Sequence, residues 1–163
     1  MAIDRISRVP VLAVLLLALV SCSDEESTCP FTGKGNQALS AGCFSTSTDG
    51  LLLVQGLNGK VSVPGGGNKP GESAQCTAFR ETWEETGLRL QPGELLQVFH
   101  TGFHLYRCER SALSGDIKPH QRFEVRDAFY LPVDQFDRYD WRYEEQQALM
   151  KTLLKDVTRT VPH

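Results

Sequence analysis

The sequence predicts one domain of mixed α and β structure, an α/β or α+β sandwich, and three observations carry that prediction. Short apolar stretches are separated by turn dipeptides such as Asp49-Gly50 and Asn58-Gly59. A segment beginning at Ser73 and closing at Gly87 has both helix caps. A second stretch, from Trp141 to about Val157, repeats Leu149, Leu153, Leu154 and Val157 at helical spacing. Strands, helix, strands and helix in that order make a layered sandwich, and 163 residues suffice for one sizeable core.

The first residues stand outside that fold. Arg5 and Arg8 form a short basic region, and residues 11–20 are an unbroken apolar run after Pro10. The run is shorter than the ~20 residues needed to span a bilayer, so residues 1–21 are expected to be a signal peptide. It closes on Leu19-Val20-Ser21-Cys22, which resembles the lipobox of bacterial lipoproteins. The resemblance implies cleavage before Cys22, acylation of Cys22 and a lipid anchor in the bacterial cell envelope. Ser23 after the cysteine points to the outer membrane, facing the periplasm. Residues 22–40 are polar and rich in Gly, Ser and Thr, the composition of a tether, which leaves residues 41–160 as the domain. Export would make Cys29, Cys43, Cys76 and Cys108 disulfide candidates, and spacing does not choose among their three pairings. No C-x-x-C pair suggests zinc, and His100, His104 and His120 read as ordinary polar residues. A net charge of −3 argues against a nucleic-acid partner.

Within the domain, residues 43–48 and 51–55 flank Asp49-Gly50 as a hairpin, because Asp-Gly suits a type I′ turn. Asn58-Gly59 leads into a short strand at 60–63, ended by Pro64. The first helix should run from Ser73, its N-cap, to Thr86, with Gly87 as a left-handed stop. Extended segments are expected at 88–90, 95–99, 103–108 and 122–131, with a loop at 109–121 and a terminator at Pro132.

The stretch from Gly66 to Leu88, GGNKPGESAQCTAFRETWEETGL, concentrates the chemistry. Glu81, Glu84 and Glu85 fall on one helix face, where like charges repel. A cation would turn that repulsion into binding, and hard oxygen donors select Mg²⁺ or Mn²⁺; the plainer reading is a solvated acidic face. The spacing G-x5-E-x7-R-E-x-x-E-E-x-G-L resembles the Nudix box at every fixed position, with Thr82 in a slot where the box prefers an aliphatic residue. The resemblance implies an α/β/α sandwich with a mixed sheet. It also implies an Mg²⁺- or Mn²⁺-dependent hydrolase that cleaves a phosphoanhydride in a nucleoside diphosphate linked to another moiety. Glu81, Glu84, Glu85 and the Gly66 carbonyl take the metal-ligand positions. Glu81, Glu84 and Arg80 take the catalytic ones, with Glu72 and Gly87 orienting or structural. Glu72 and Arg80, eight residues apart on one helix, would be too distant for i,i+4 pairing. The general base is Glu81 or an acid outside the box, for which Glu124, Asp127, Glu144 and Glu145 are the candidates.

The other face of this helix carries Cys76, Phe79 and Trp83. It is expected either to pack as ordinary core or to be covered by a segment that a Cys76 disulfide staples over Trp83. Tyr106, Phe129, Tyr130, Trp141 and Tyr143 are aromatic residues for the core or for stacking a base. The alternative function is a non-hydrolysing Nudix module that binds a nucleotide or metal as an envelope sensor or interaction protein. A purely structural lipoprotein would leave the acidic cluster without a use.

Overall fold

Alternation along one strand sets the layers. The computed structural model describes residues 28–160; the segment expected to be a signal peptide, residues 1–21, and Cys22 lie outside the described residues. In β3 (Gly50–Gly56), Leu51 and Leu53 enter one core and Leu52 the other, as the two-residue period of a strand requires. The first core also holds Phe44, Val61, Leu105 and Met150, with Leu149, Leu153 and Leu154 of α2 (Glu144–Thr160) packed against it. The second holds Ala41, Cys43, Leu90 and Tyr106, closed by Ala74 and Ala78 of α1 (Ala74–Thr86). The two helices therefore cover opposite faces, the α/β/α arrangement.

The sheet is mixed but divided in two. β1 (Ser40–Phe44) pairs in parallel with β7 (Phe103–Arg110) and antiparallel with β5 (Gly65–Gly67). β6 (Leu90–Val98) completes that sheet on the far side of β7. The second sheet is built around β3, paired antiparallel with β2 (Thr46–Ser47), β4 (Val61–Ser62) and β8 (Val125–Leu131). The Asp49-Gly50 hairpin forms, though only its last residues belong to it, because β1 is committed to the first sheet.

Three boundaries differ from the sequence expectation, each for a tertiary reason. β6 runs through Pro92, which would break a central strand; here it lies on the sheet edge and the register shifts between Pro92 and Leu95. A 3-10 turn at Val133–Arg138 follows Pro132, and α2 begins at Glu144 rather than Trp141. Trp141 belongs to the core and its Nε1 donates to the Phe136 carbonyl at 3.2 Å. The supposed tether is fastened from Cys29 onward. Cys29 is bonded to Cys76, and Asn36 accepts the Ala74 N–H at 2.8 Å, so only the part preceding Cys29 retains the tether expectation.

The four cysteines among the described residues are all paired, Cys29 with Cys76 and Cys43 with Cys108. Their sequence separations of 47 and 65 residues each restrict the unfolded chain by about 4 kcal/mol in the chain-entropy account. Cys43 and Cys108 are buried at 0% and 4% exposure, whereas Cys29 and Cys76 are half-buried. Alkylation without reduction, read by intact mass, is expected to label none of these four, and mild dithiol treatment to open Cys29–Cys76 before Cys43–Cys108. The off-pattern Thr82 is fully buried and its hydroxyl has no hydrogen-bond partner. Replacing it by the near-isosteric valine removes that desolvation cost, so Thr82→Val is expected to stabilise the protein by about 1 kcal/mol in denaturant titration.

Candidate active site

Helix α1 positions the acids because both of its ends are tied. Ser73, extended at φ −77°, accepts the Cys76 N–H through Oγ at 3.3 Å. Gly87 is left-handed at φ 76° and donates to the Trp83 carbonyl at 2.8 Å. Two further carbonyls of the last turn are met by the loop between β7 and β8: the Lys118 N–H donates to Thr86 at 2.7 Å, and those of His120 and Gln121 to Glu84 at 2.9 and 3.0 Å. The same loop stacks His120 on Trp83, ring centroids 4.2 Å apart. Trp83 is thus covered by His120, which the sequence reading passed over as an ordinary polar residue. The Cys29–Cys76 staple sits at the opposite end of the helix.

Arg80 is the centre of the cluster. Its Nε and Nη2 donate to Glu72 Oε1 and Oε2, both at 2.9 Å, and Nη2 also reaches the Gly67 carbonyl at 2.8 Å. Nη1 donates to Glu81 Oε1 at 2.8 Å and to Glu84 Oε2 at 3.0 Å. The expectation that Glu72 lies too far from Arg80 is corrected. Glu72 precedes the N-cap rather than lying on the helix, so it folds back as a fork-to-fork partner.

An oxygen account separates the four acids. Glu72 uses both oxygens, Oε2 also accepting from the Lys69 N–H and the Thr77 hydroxyl. Glu81 and Glu84 each give one oxygen to Arg80, and Glu85 gives Oε2 to the Gly65 N–H at 2.8 Å. One oxygen of each of these three stands outside those hydrogen bonds, Glu84 Oε1 lying 3.9 Å from Lys69 Nζ.

Electrostatics agrees with that division. Burial would raise Glu72, but the hydrogen bonds from Arg80, Lys69 and Thr77 outweigh it and hold the carboxyl below its usual range. Burial raises Glu81 against the pull of Arg80, helped by the charges of Glu84 and Glu124. Glu85, 8% exposed, is pushed up to about 8, first by burial and then by Glu81 and Glu124, despite the Gly65 N–H. Arg80 loses charge stability to burial and regains more from Glu72 and Glu81, so its pKa is raised.

A divalent cation suits this donor set. The free oxygens are hard, and net negative charge remains after Arg80 is counted. The Gly66 backbone passes so close to the Glu81 carboxyl that a Cβ there would have to displace it. Among the described residues, no group of three His, Cys, Asp or Glu side chains already converges on one point. Arg80 occupies the gap between Glu81 and Glu84, and Glu85 faces Gly65.

Of the acids outside the box, Glu124 is exposed, immediately precedes β8, and acts electrostatically on both Glu81 and Glu85. Asp127 instead accepts the Ala128 N–H at 2.8 Å. Glu145 lines a cavity of about 270 Å³ on the other side of the glycine strand, and Glu144 is exposed beside it. That cavity is bounded by Gly65–Gly67, Phe99, Phe103, Arg142 and Tyr143. Phe99 and Phe103 had no distinguishing signal in the sequence, since the cavity arises only when β7 pairs with β1. Tyr106 and Trp141 are buried in the two cores, while Phe129 and Tyr130 are partly buried and pack against them.

The fold and this site are those of the Nudix class. The NUDIX domain family model matches residues 36–153, and the chain belongs to that family. Among solved structures it is similar to a UDP-X diphosphatase, with 21% identity over 78% of this chain and 67% of the other and a TM-score of 0.62. A NUDIX hydrolase from Nitrosomonas europaea gives 20% identity over 76% and 90% of the two chains, TM-score 0.62. An ADP-ribose pyrophosphatase from Streptococcus suis gives 22% over 77% and 94%, TM-score 0.55. No curated protein sequence matches.

The raised acids set a pH dependence. Between about pH 5 and 8 the folded, metal-free protein keeps a proton on Glu85 that the unfolded chain has released, so stability falls as pH rises through that window. Thermal unfolding in chelator should show a melting temperature that declines toward pH 8. Added Mg²⁺ should raise it more at pH 8 than at pH 6.

Proposed function

We propose that the protein hydrolyses a phosphoanhydride bond in a nucleoside diphosphate linked to another moiety, with Mg²⁺ or Mn²⁺ as its cofactor. The observation that carries this reading is the oxygen account. Glu81, Glu84 and Glu85 each keep one carboxylate oxygen outside the Arg80 and Gly65 hydrogen bonds, with Glu84 Oε1 facing Lys69 Nζ at 3.9 Å, while Glu72 is wholly consumed by Arg80 and its neighbours. Those three carboxylates, with the Gly66 carbonyl, are the groups that would hold the ion. When bound, a divalent cation neutralises the diphosphate and lowers the pKa of an attacking water.

The chain's own residues do the rest. Arg80 orients Glu81 and Glu84 through Nη1 while anchored on Glu72 and Gly67. Glu81, which burial raises, and Glu124, exposed and within electrostatic reach of Glu81 and Glu85, are the two candidates to take the water proton. Glycine at 66 lets the backbone pass close to the site. The neighbouring cavity supplies Phe99, Phe103 and Tyr143 as apolar ring surfaces and Arg142 as a cation, which suits a nucleoside and its phosphate. The UDP-X diphosphatase and the ADP-ribose pyrophosphatase named above support a substrate of this form.

The setting we propose is the bacterial cell envelope, with Cys22 lipidated and the domain facing the periplasm from the outer membrane. The signal-like run, the lipobox resemblance and two disulfides, which persist in oxidising compartments, support it. The complete set of box acids weighs against a non-hydrolysing binding module.

A panel of nucleotide sugars, dinucleotides and other diphosphates, read by phosphate release through a coupled phosphatase, tests the function. Hydrolysis should require Mg²⁺ or Mn²⁺ and should fall at least ~100-fold in Glu84→Gln/Glu85→Gln. Undiminished turnover in that double variant would overturn the mechanism.

A further inference from the structure

Residues 29–39 touch no reacting group, yet they are fastened to both supports of Arg80. Those supports are the Glu72 carboxylate and the Gly67 carbonyl. The four residues that follow Glu72 are each engaged from this segment. Ser73 packs so closely on Gly35 that a Cβ there would collide with its side chain. Ala74 donates its N–H, an otherwise orphaned helix-start donor, to the Asn36 carbonyl at 2.8 Å. Gln75 Oε1 accepts the Asn36 N–H at 3.1 Å, and Cys76 carries the disulfide to Cys29. On the other side, Asn68, which follows Gly67, donates its N–H to the Leu39 carbonyl at 3.1 Å. The chain then continues as β1, which pairs Ser40 with Gly67 and Ala41 with Gly66. A hydrogen bond from Asn36 Nδ2 to the Tyr106 hydroxyl, at 3.2 Å, ties the middle of the segment to β7.

We propose that residues 29–39 are a positioning strap. Locked by Cys29–Cys76 and by Asn36, the strap holds the two ends of the 67–73 turn in register, so that Glu72 and Gly67 keep Arg80 aimed at Glu81 and Glu84. The physical case is one of leverage. Arg80 sets the two box acids through one nitrogen, so a displacement of Glu72 passes directly to both of them. Misplacement by ~1 Å can cost on the order of 10²-fold in rate. The bonds within the turn, Glu72 N–H to Lys69, Lys69 N–H to Glu72 Oε2 and Asn68 Nδ2 to Glu72, are local and move with it, whereas Thr77 and Arg80 grip Glu72 from the helix that the strap itself fastens. Contacts from outside the turn are what locate it, and the strap supplies them at both ends. The catalytic meaning of the strap rests on the hydrolase reading above; its effect on Arg80 does not.

The test compares the full chain, purified in detergent, with Cys29→Ser/Cys76→Ser and, separately, with Asn36→Ala/Gln75→Ala, which keeps the disulfide. Exchange of the Arg80 Nε–H with water is followed by NMR in metal-free protein, the resonance being assigned by its loss in Arg80→Lys. Turnover is measured in parallel on the best diphosphate of the panel. In the strap variants Arg80 exchange should quicken about 10-fold and kcat should fall about 10-fold, while KM changes less than about 3-fold, the pattern of a lost outer-shell support. Folded variants in which either the exchange or kcat stays at the wild-type value would overturn the proposal. If Cys29→Ser/Cys76→Ser does not fold, Asn36→Ala/Gln75→Ala decides. If the wild-type protein hydrolyses nothing on the panel, the hydrolase reading fails, and Arg80 exchange alone still accepts or rejects the strap.

Discussion

Arg80 makes five hydrogen bonds, to three carboxylates and one backbone carbonyl, and the geometry of the site follows from them. A guanidinium has five N–H donors in a rigid fork and accepts nothing, so its partners must come to it in a plane. Glu72 takes the fork face-on, and Gly67, Glu81 and Glu84 arrange themselves around the remaining donors. The arrangement also offsets part of the repulsion among the acids of this helix, though Glu84 still raises Glu81 and Glu81 still raises Glu85. A lysine could neutralise the charge but could not hold four groups in fixed directions, so the cluster depends on the shape of the arginine as much as on its charge.

That dependence explains where the sheet must be. β5 is only three glycines, Gly65–Gly67, yet each contributes a backbone function: the Gly65 N–H to Glu85, the close approach of Gly66 to Glu81, and the Gly67 carbonyl to Arg80. A Cβ at position 66 would press on the Glu81 carboxyl, and one at position 65 would meet the β1 backbone at Ala41 and Gly42. β5 is held by antiparallel pairing to β1, and β1 by parallel pairing to β7, so the position of the site is set by long-range strand order rather than by the box alone. The same pairing opens the cavity on the far side of β5, so the acidic cluster and the cavity lie on either side of one strand.

The parts legible in the sequence were those governed by local rules. Ser73 and Gly87 cap α1 where the sequence places them, because capping depends on a few adjacent backbone groups. The grouping of Glu81, Glu84 and Glu85 follows from helical periodicity in the same way. What failed to show was set by tertiary contact. Glu72 looked too distant from Arg80 only while both were counted on one helix; a turn before the cap brings them together. The segments expected at 88–90 and 95–99 merge into one strand through Pro92, which is tolerated because β6 lies on an edge. The pairing of Cys29 with Cys76 depends on a strap with no periodicity, and no local signal marks His120 as the residue that covers Trp83.

The site also shows why so much fastening surrounds a short helix. Glu81 and Glu85 are buried at 9% and 8% exposure, and burial raises both, so in the metal-free protein they detract from stability near neutral pH. Thr82, between them, adds a buried hydroxyl without a partner. A helix loaded with such groups would sooner fray or rotate than keep its acids inward. It is instead held by a cap at each end, by the 111–124 loop on its last carbonyls, and by a disulfide one turn from its start. These restraints act on the ends and the far face and leave the acidic face unencumbered. Stability is thus supplied where it does not compete with binding, and Glu85, pushed up to about 8, is left poised for a charge that a cation would favour.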